Sequence, residues 1–198
     1  MERKIAFFDF DGTITYKDSL IHFLVFCFGW FKVISGFIFI SPYVILYKLK
    51  VISNERAKEK LLAYFFKELK KEDVKQFAIQ YTEKCLPKIL REKAIEKIEW
   101  HKSENHEIYL VSASLEDWLR PWCENMQISC LGTQLEVING VYSGKFQSKN
   151  CYGPEKVNRI KQELNLSDYN FIYAYGDSRG DSEMLKIANE GHFKPFRN

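Results

Sequence analysis

The sequence predicts an α/β protein, with a mostly parallel sheet flanked by helices and a helical cap inserted after the first strand. Three observations carry that expectation. Short apolar runs at Ile5–Phe8, Ile108–Val111 and Phe171–Tyr175 read as buried parallel strands and lead into Asp9, Ser112 and the Gly176-Asp177 loop. After the first run comes a long, mostly helical stretch to about Glu104, which exceeds an ordinary βα crossover. A chain of 198 residues is also long for one small domain and short for two, so a core with an insertion is the economical partition.

Taken in order, Lys4 to Phe8 forms the first strand and delivers Asp9 and Asp11, then Gly12 and Thr13. Side chains alternate along a strand, so two acids separated by one residue point the same way. One can attack while the other moves a proton. Their place at the carboxyl end of a strand is where open α/β sheets bind ligands. An aspartate-rich turn is the bland alternative. Leu20 to Tyr47 is strongly apolar, but its longest charge-free piece, Val33 to Tyr47, has 15 residues, short of the ~20 a bilayer span requires. Gly36 and Pro42 weaken a helix there, which favours two short apolar helices with a turn. Three readings stay open: a buried helical hairpin in a soluble cap, an interfacial or re-entrant membrane contact through residues 20–47, and a true span. The flanking Lys48, Lys50, Arg56, Lys58 and Lys60 suit anionic headgroups and a solvated face equally. A cleaved signal peptide is not expected, because cleavage after this region would remove Asp9.

From Ser53, the run Asn54 to Leu62 resembles a capped helix start, with apolar spacing continuing through Phe65, Phe66 and Leu69. Helices follow at Glu72 to Cys85 and, after Pro87, at Ile89 to Lys102. The second strand ends at Ser112, and a helix with Trp118 and Leu119 comes next. A strand at Ile128 to Leu131 precedes a hairpin turning at Asn139-Gly140. The last edge strand is expected around Gly191 to Pro195. The resulting partition is a catalytic core of residues 1–16 plus 87–198 and a helical cap of residues 17–86.

The ends of these elements carry the chemistry. Ser112, with Ala113 beyond it, can bind a phosphate oxygen, and Lys156 at the start of a helical pattern can neutralise an anion. Gly176 Asp177 Ser178 Arg179 Gly180 Asp181 places two acids four apart in a glycine-bearing loop, which suits hard oxygen coordination of Mg²⁺. A bound anion and these carboxylates repel until cations offset their charge, and Mg²⁺ and Lys156 can supply that offset. Main-chain N–H groups after Asp9 and Ser112 can form an anion-binding concavity, with Gly12 admitting close backbone approach. Taken singly, Lys156 reads as a surface lysine and Asp177 or Asp181 as loop acids.

In this order the four segments resemble the haloacid-dehalogenase (HAD) superfamily, specifically the subfamily IB branch that contains phosphoserine phosphatase. The resemblance implies a Rossmann-like core with a C1-type cap and Mg²⁺ as cofactor. It also implies Asp9 as a nucleophile that becomes an aspartyl phosphate and Asp11 as the general acid and base. Gly12, Ser112, Ala113 and Lys156 are then the phosphate binders. The metal set is Asp9, the Asp11 main-chain carbonyl, Asp177 and, through a water or second shell, Asp181. Phosphoserine phosphatases carry a glutamate shortly after the first motif, where this chain has Asp18 in a more apolar region, and Arg56 is a candidate for a substrate carboxylate. A generic or lipid-directed phosphomonoesterase is therefore placed ahead of a phosphoserine phosphatase. A phosphotransferase and a membrane-peripheral binding protein with vestigial activity remain as other readings.

Composition limits the alternatives. A net charge of +3 without a basic, aromatic-studded stripe argues against nucleic acid as a partner and leaves a phosphorylated small molecule or phospholipid. Five scattered cysteines lack C-x-x-C spacing, which disfavours zinc or a disulfide framework and favours a cytoplasmic location, with membrane association as an added option. His101 and His106 are expected as solvated surface residues.

Overall fold

The computed structural model describes residues 2–197. β1 (Lys4–Phe8) is the middle strand of a five-stranded sheet in the order β3-β2-β1-β6-β7, formed with β2 (Glu107–Leu115), β3 (Ser129–Thr133), β6 (Phe171–Gly176) and β7 (Glu190–Phe193). All four neighbouring pairs are parallel, and β1 aligns Phe8 with Leu110 on one side and Tyr175 on the other. The predicted α/β class is what the chain adopts. β1 is apolar at successive positions because both faces are covered. Ile5 and Phe7 pack with Val111, Ile160 and Met184, whereas Ala6 and Phe8 pack with Ile98, Leu110 and Trp118.

After β1 come the helices α1 (Ser19–Lys48), α2 (Asn54–Phe66) and α3 (Lys71–Lys84). Ser53 caps α2 by accepting the Arg56 N–H at 3.2 Å, as the Ser-Asn-Glu start predicts. α1 is broken, but at Gly29 and not at Gly36 or Pro42. Gly29 holds φ 75 and ψ 162, which only glycine adopts without strain. Gly36 instead lies inside the second segment, buried against Tyr64 and Phe65 of α2, and Pro42 is accommodated within the helix. α4 (Glu92–Ser103) begins three residues later than the expected Ile89. A tight turn at Leu86–Ile89 and a bridge between Thr15 and Leu90 hold the intervening backbone extended.

β2 runs past the expected end at Ser112 as far as Leu115. Its hydroxyls are satisfied inside the fold, with Ser112 Oγ accepting the Ser114 N–H at 3.1 Å, so the strand crosses Ser112 and Ser114 without stranding a polar group. α5 (Glu116–Asn125) covers the sheet with Trp118 and Leu119. β4 (Leu135–Ile138) and β5 (Val141–Phe146) form the hairpin that turns at Asn139-Gly140. The hairpin is joined to the end of α2. Glu68 N–H donates to Tyr142 O and Tyr142 N–H to Leu69 O, each at 2.9 Å, and Lys71 N–H donates to Gly140 O at 2.8 Å. α6 (Pro154–Glu163) and the short α7 (Ser182–Lys186) complete the second layer.

His101 departs from expectation. It is fully buried, with Nε2 3.0 Å from the Tyr175 hydroxyl and Nδ1 2.8 Å from His106 Nδ1. Burial, with His106 beside it, pushes its pKa down to about 3, so the ring is neutral at pH 7. The five-residue separation of the two histidines matches neither helical nor strand periodicity, which is why the sequence shows no sign of this packing.

Candidate active site

Four chain segments meet at the carboxyl edge of the sheet. Asp9 follows β1, and its N–H donates to Tyr175 O at 2.9 Å, which fixes the backbone as it leaves the sheet. Its side chain is almost fully buried. Asp9 Oδ1 lies 2.6 Å from Lys156 Nζ, and Oδ2 accepts the Thr13 hydroxyl at 3.1 Å. Lys156, from the first turn of α6, also donates to Asp181 Oδ1 and to Val111 O, each at 2.6 Å. All three ammonium protons are therefore directed at oxygens. Burial works against the Lys156 charge, but Asp9 and Asp181 outweigh it and raise its pKa.

Asp181 is buried, and its second oxygen accepts the Asp177 N–H at 3.1 Å plus the Ser178 N–H and hydroxyl, each at 2.9 Å. Burial pushes its pKa up, but Lys156 and these donors hold it below the usual carboxylate value. Asp9 is the opposite case. Burial, aided by the charges of Asp181 and Asp11, pushes it up to about 7 against the pull of Lys156. Burial and Asp181 likewise raise Asp177, which faces Arg197 in an ion pair.

Asp9, Asp177 and Asp181 bring oxygen atoms within 4.8 Å of one another. This all-carboxylate donor set fits a hard divalent cation such as Mg²⁺. Both Asp181 oxygens are engaged by the lysine and the loop donors, and both Asp9 oxygens by Lys156 and Thr13, so Asp177, paired with Arg197 through Oδ2, is the least engaged of the three. Gly12 is required here for two reasons. It adopts φ +83, and a Cβ added to it would sit 2.4 Å from Asp177 Oδ2.

Asp11 turns to different partners. Its Oδ1 accepts the Ser19 N–H and its Oδ2 the Ser114 hydroxyl, each at 2.6 Å. Burial, with Asp18 nearby, raises its pKa despite these bonds. Ser112 is buried beside Val111, the residue whose carbonyl binds Lys156. The Ala113 carbonyl accepts Lys58 Nζ at 2.6 Å and the Thr133 hydroxyl at 2.7 Å.

Of the two cap residues singled out from sequence, Asp18 is exposed and caps α1 by accepting the Ile21 N–H at 3.1 Å, and Arg56 is exposed on α2. Neither has a side-chain bond to the Asp9 cluster among the described residues. Lys58, two residues on, is the cap side chain that reaches the core, donating also to Asn150 Oδ1 at 3.2 Å. Burial pushes its pKa down to about 8 even though Asp11 and Asp18 oppose this. Ser114, Thr13 and Lys58 were not legible as site residues. Ser114 lies two positions after Ser112, on the same side of an extended strand, which is the one signal that points to it.

A buried ammonium clamped between acids that follow two parallel strands, at the carboxyl edge of an α/β sheet with a helical insertion, defines a class of hydrolase. The sequence matches the haloacid dehalogenase-like hydrolase family over residues 6–186, and the chain belongs to that family. It is 31% identical to protein CicA of Caulobacter vibrioides, over 99% of this chain and 88% of that protein. It is 28% identical to a histidinol-phosphatase of Neisseria meningitidis serogroup C, over 47% of this chain and 45% of that protein. Among solved structures, a Bordetella pertussis protein of unknown function shares the fold with a TM-score of 0.80 at 22% identity, covering 95% of this chain and 88% of that one. A phosphoserine phosphohydrolase-like protein from Francisella tularensis shares it with a TM-score of 0.63 at 21% identity, covering 98% of this chain and 86% of that one. A phosphoserine phosphatase captured as a phospho-aspartyl intermediate analogue does so with a TM-score of 0.57 at 18% identity, covering 95% and 84%. The fold is thus that of the phosphoserine phosphatase-like branch.

Proposed function

We propose that the protein is a phosphomonoester hydrolase that works through an aspartyl phosphate at Asp9. Supporting this most directly is the buried contact of Asp9 Oδ1 with Lys156 Nζ at 2.6 Å, with Asp11 close by in sequence but bound to separate partners. Two carboxyl groups in unlike environments suit unlike roles. The names of the histidinol-phosphatase and phosphoserine phosphatase relatives agree with a phosphorylated substrate.

In this reading the Asp9 carboxylate attacks phosphorus while the ester P–O bond breaks, and Asp11 gives its proton to the departing oxygen. The raised Asp11 pKa favours the protonated form that this step needs. Asp11, now ionised, takes a proton from a water that attacks the phosphorus of the acyl phosphate, releasing inorganic phosphate and restoring Asp9. Lys156 and the Ser112 hydroxyl hold phosphoryl oxygens, joined by main-chain N–H groups around Gly12 and Ala113. Mg²⁺, held by Asp9, Asp177 and the Asp11 carbonyl with Asp181 behind them, would supply positive charge against the repulsion between the two anionic reactants. Residues 1–16 with 87–198 form the catalytic core in this scheme, and residues 17–86 the cap that reads the leaving group.

A small-molecule or lipid phosphate is the substrate class we favour over phosphoserine. Asp18 is engaged as a helix cap and Arg56 faces solvent, so the cap offers Lys58 where an amino-acid substrate asks for an ordered acid and a guanidinium. The test is release of phosphate from an aryl phosphate with Mg²⁺, together with the Asp9→Asn variant. We expect turnover in the parent and none in the variant, and equal turnover in both would reject Asp9 as nucleophile.

A further inference from the structure

We propose that the second segment of α1, residues 30–48, is a membrane-docking face that lies flat on an anionic lipid surface. Among the described residues this segment buries only Val33, Gly36 and Ile40; Gly36 lies against Tyr64 and Phe65 of α2, and Val33 joins the main apolar core. Most of its other apolar side chains are exposed, with Phe31 94%, Ile38 69%, Phe39 63% and Ile45 56% accessible. An exposed patch of that kind on one helix marks an interaction site. Three features of the same helix select lipid as the occupant.

Charge is the first. Between Ser19 and Asn54 the chain has no Asp or Glu, and the ions present are Lys32, Lys48 and Lys50, all exposed. Anionic headgroups complement that charge. A second copy of this chain would set lysine against lysine with no acid in the face to pair it. Second, Trp30 and Tyr47 are exposed near the two ends of the segment, where amphipathic rings prefer the headgroup level. The third feature is how the helix is held. α2 follows after a short connection and folds back along α1, with Tyr64 and Phe65 on Gly36 and the Phe39 and Tyr64 rings 5.3 Å apart. Through Lys58, Glu55 and Glu59, α2 is bonded to Ala113, Asn150 and Phe146. A slab of hydrocarbon enclosing residues 30–48 on all sides would therefore enclose α2 and part of the core. The segment can rest on a bilayer but not cross it.

The inference is independent of the catalytic reading, because its test measures binding. The full-length protein is sedimented with phosphatidylcholine vesicles and with vesicles that also contain phosphatidylglycerol. Association with the anionic vesicles is expected. Replacing Lys32, Lys48 and Lys50 by Gln should weaken it on the order of 100-fold, at roughly fivefold per lysine. The variant Phe31→Gln/Ile38→Gln/Ile45→Gln alters only exposed positions, and it should keep the parent circular dichroism melt yet lose vesicle binding. Protein that stays in solution with anionic vesicles overturns the proposal. So does a concentration-dependent dimer, seen by analytical ultracentrifugation, that the same apolar substitutions abolish without any change in vesicle binding.

Discussion

Replacing Lys156 by Met keeps most of the side-chain length and removes one charge from the centre of the site. In the parent, Nζ lies 2.6 Å from both Asp9 and Asp181, and all three side chains are almost wholly inaccessible. Removing the shared partner leaves two carboxyl groups facing each other without a cation, a loss of about 3–5 kcal/mol for a broken buried pair. The cost depends on pH in a definite sense. Asp9 titrates at about 7 when folded, well above its ordinary 3.8, so in the parent its proton is present at pH 5 and gone at pH 8. A raised carboxyl pKa stabilises the fold fully at low pH, and that stabilisation is lost as pH rises through the folded value. Without Lys156 the Asp9 pKa rises further, so above pH 7 the folded variant carries a proton that the folded parent has shed. The gap between variant and parent then widens with pH, by up to about 1.4 kcal/mol per unit. At pH 5 the loss comes from the Asp181 contact alone, because Asp181 stays ionised. Urea unfolding of both proteins from pH 5 to 8, with a chelator present to exclude metal effects, measures this. A destabilisation under 1 kcal/mol, or one that is flat across the range, would refute the clamp reading.

Two further outcomes are expected. Gly12→Ala forces φ +83 on an alanine and drives a Cβ to within 2.4 Å of the Asp177 carboxylate. Urea unfolding should show a loss of about 1–3 kcal/mol, and half-saturation by Mg²⁺ in a phosphatase assay should rise at least about tenfold; parent-like values in both would remove Asp177 from the metal set. Lys58→Gln removes a buried ammonium that ties α2 to Ala113 and Asn150. Steady-state kinetics should show a raised KM with kcat largely kept, while an equal fall in kcat and kcat/KM would assign Lys58 to the transition state instead.

Local signals were read well where one segment decides its own structure. The apolar run Ile5–Phe8 closing on Asp9 forms the central strand because it is buried on both faces, and Asn139-Gly140 makes its hairpin through turn chemistry alone. Ser53 caps α2 for the same local reason. Misread features depend on partners distant in sequence. β2 continues to Leu115 because its serines are satisfied by each other and by Asp11, which lies 103 residues from Ser114. His101 is buried against Tyr175, 74 residues away. A helical pattern shows which residues share a face but not what that face meets, and Lys58 meets Ala113 and Asn150. Gly29 breaks α1, whereas Gly36 is held in the helix by Tyr64 and Phe65 of α2.

The seam between the end of α2 and the β4–β5 hairpin has a mechanical corollary. Peptide groups of Glu68, Leu69 and Lys71 are stitched to those of Gly140 and Tyr142, so the ribbon is fastened to the inserted helices although it comes from the far half of the chain. A hinge that swings those helices outward to admit a bulky leaving group must unzip these links or carry the ribbon with it. If the ribbon travels, the moving lid is built from two chain segments, and its pivots include the strands of polypeptide on either side of Leu135 and Phe146.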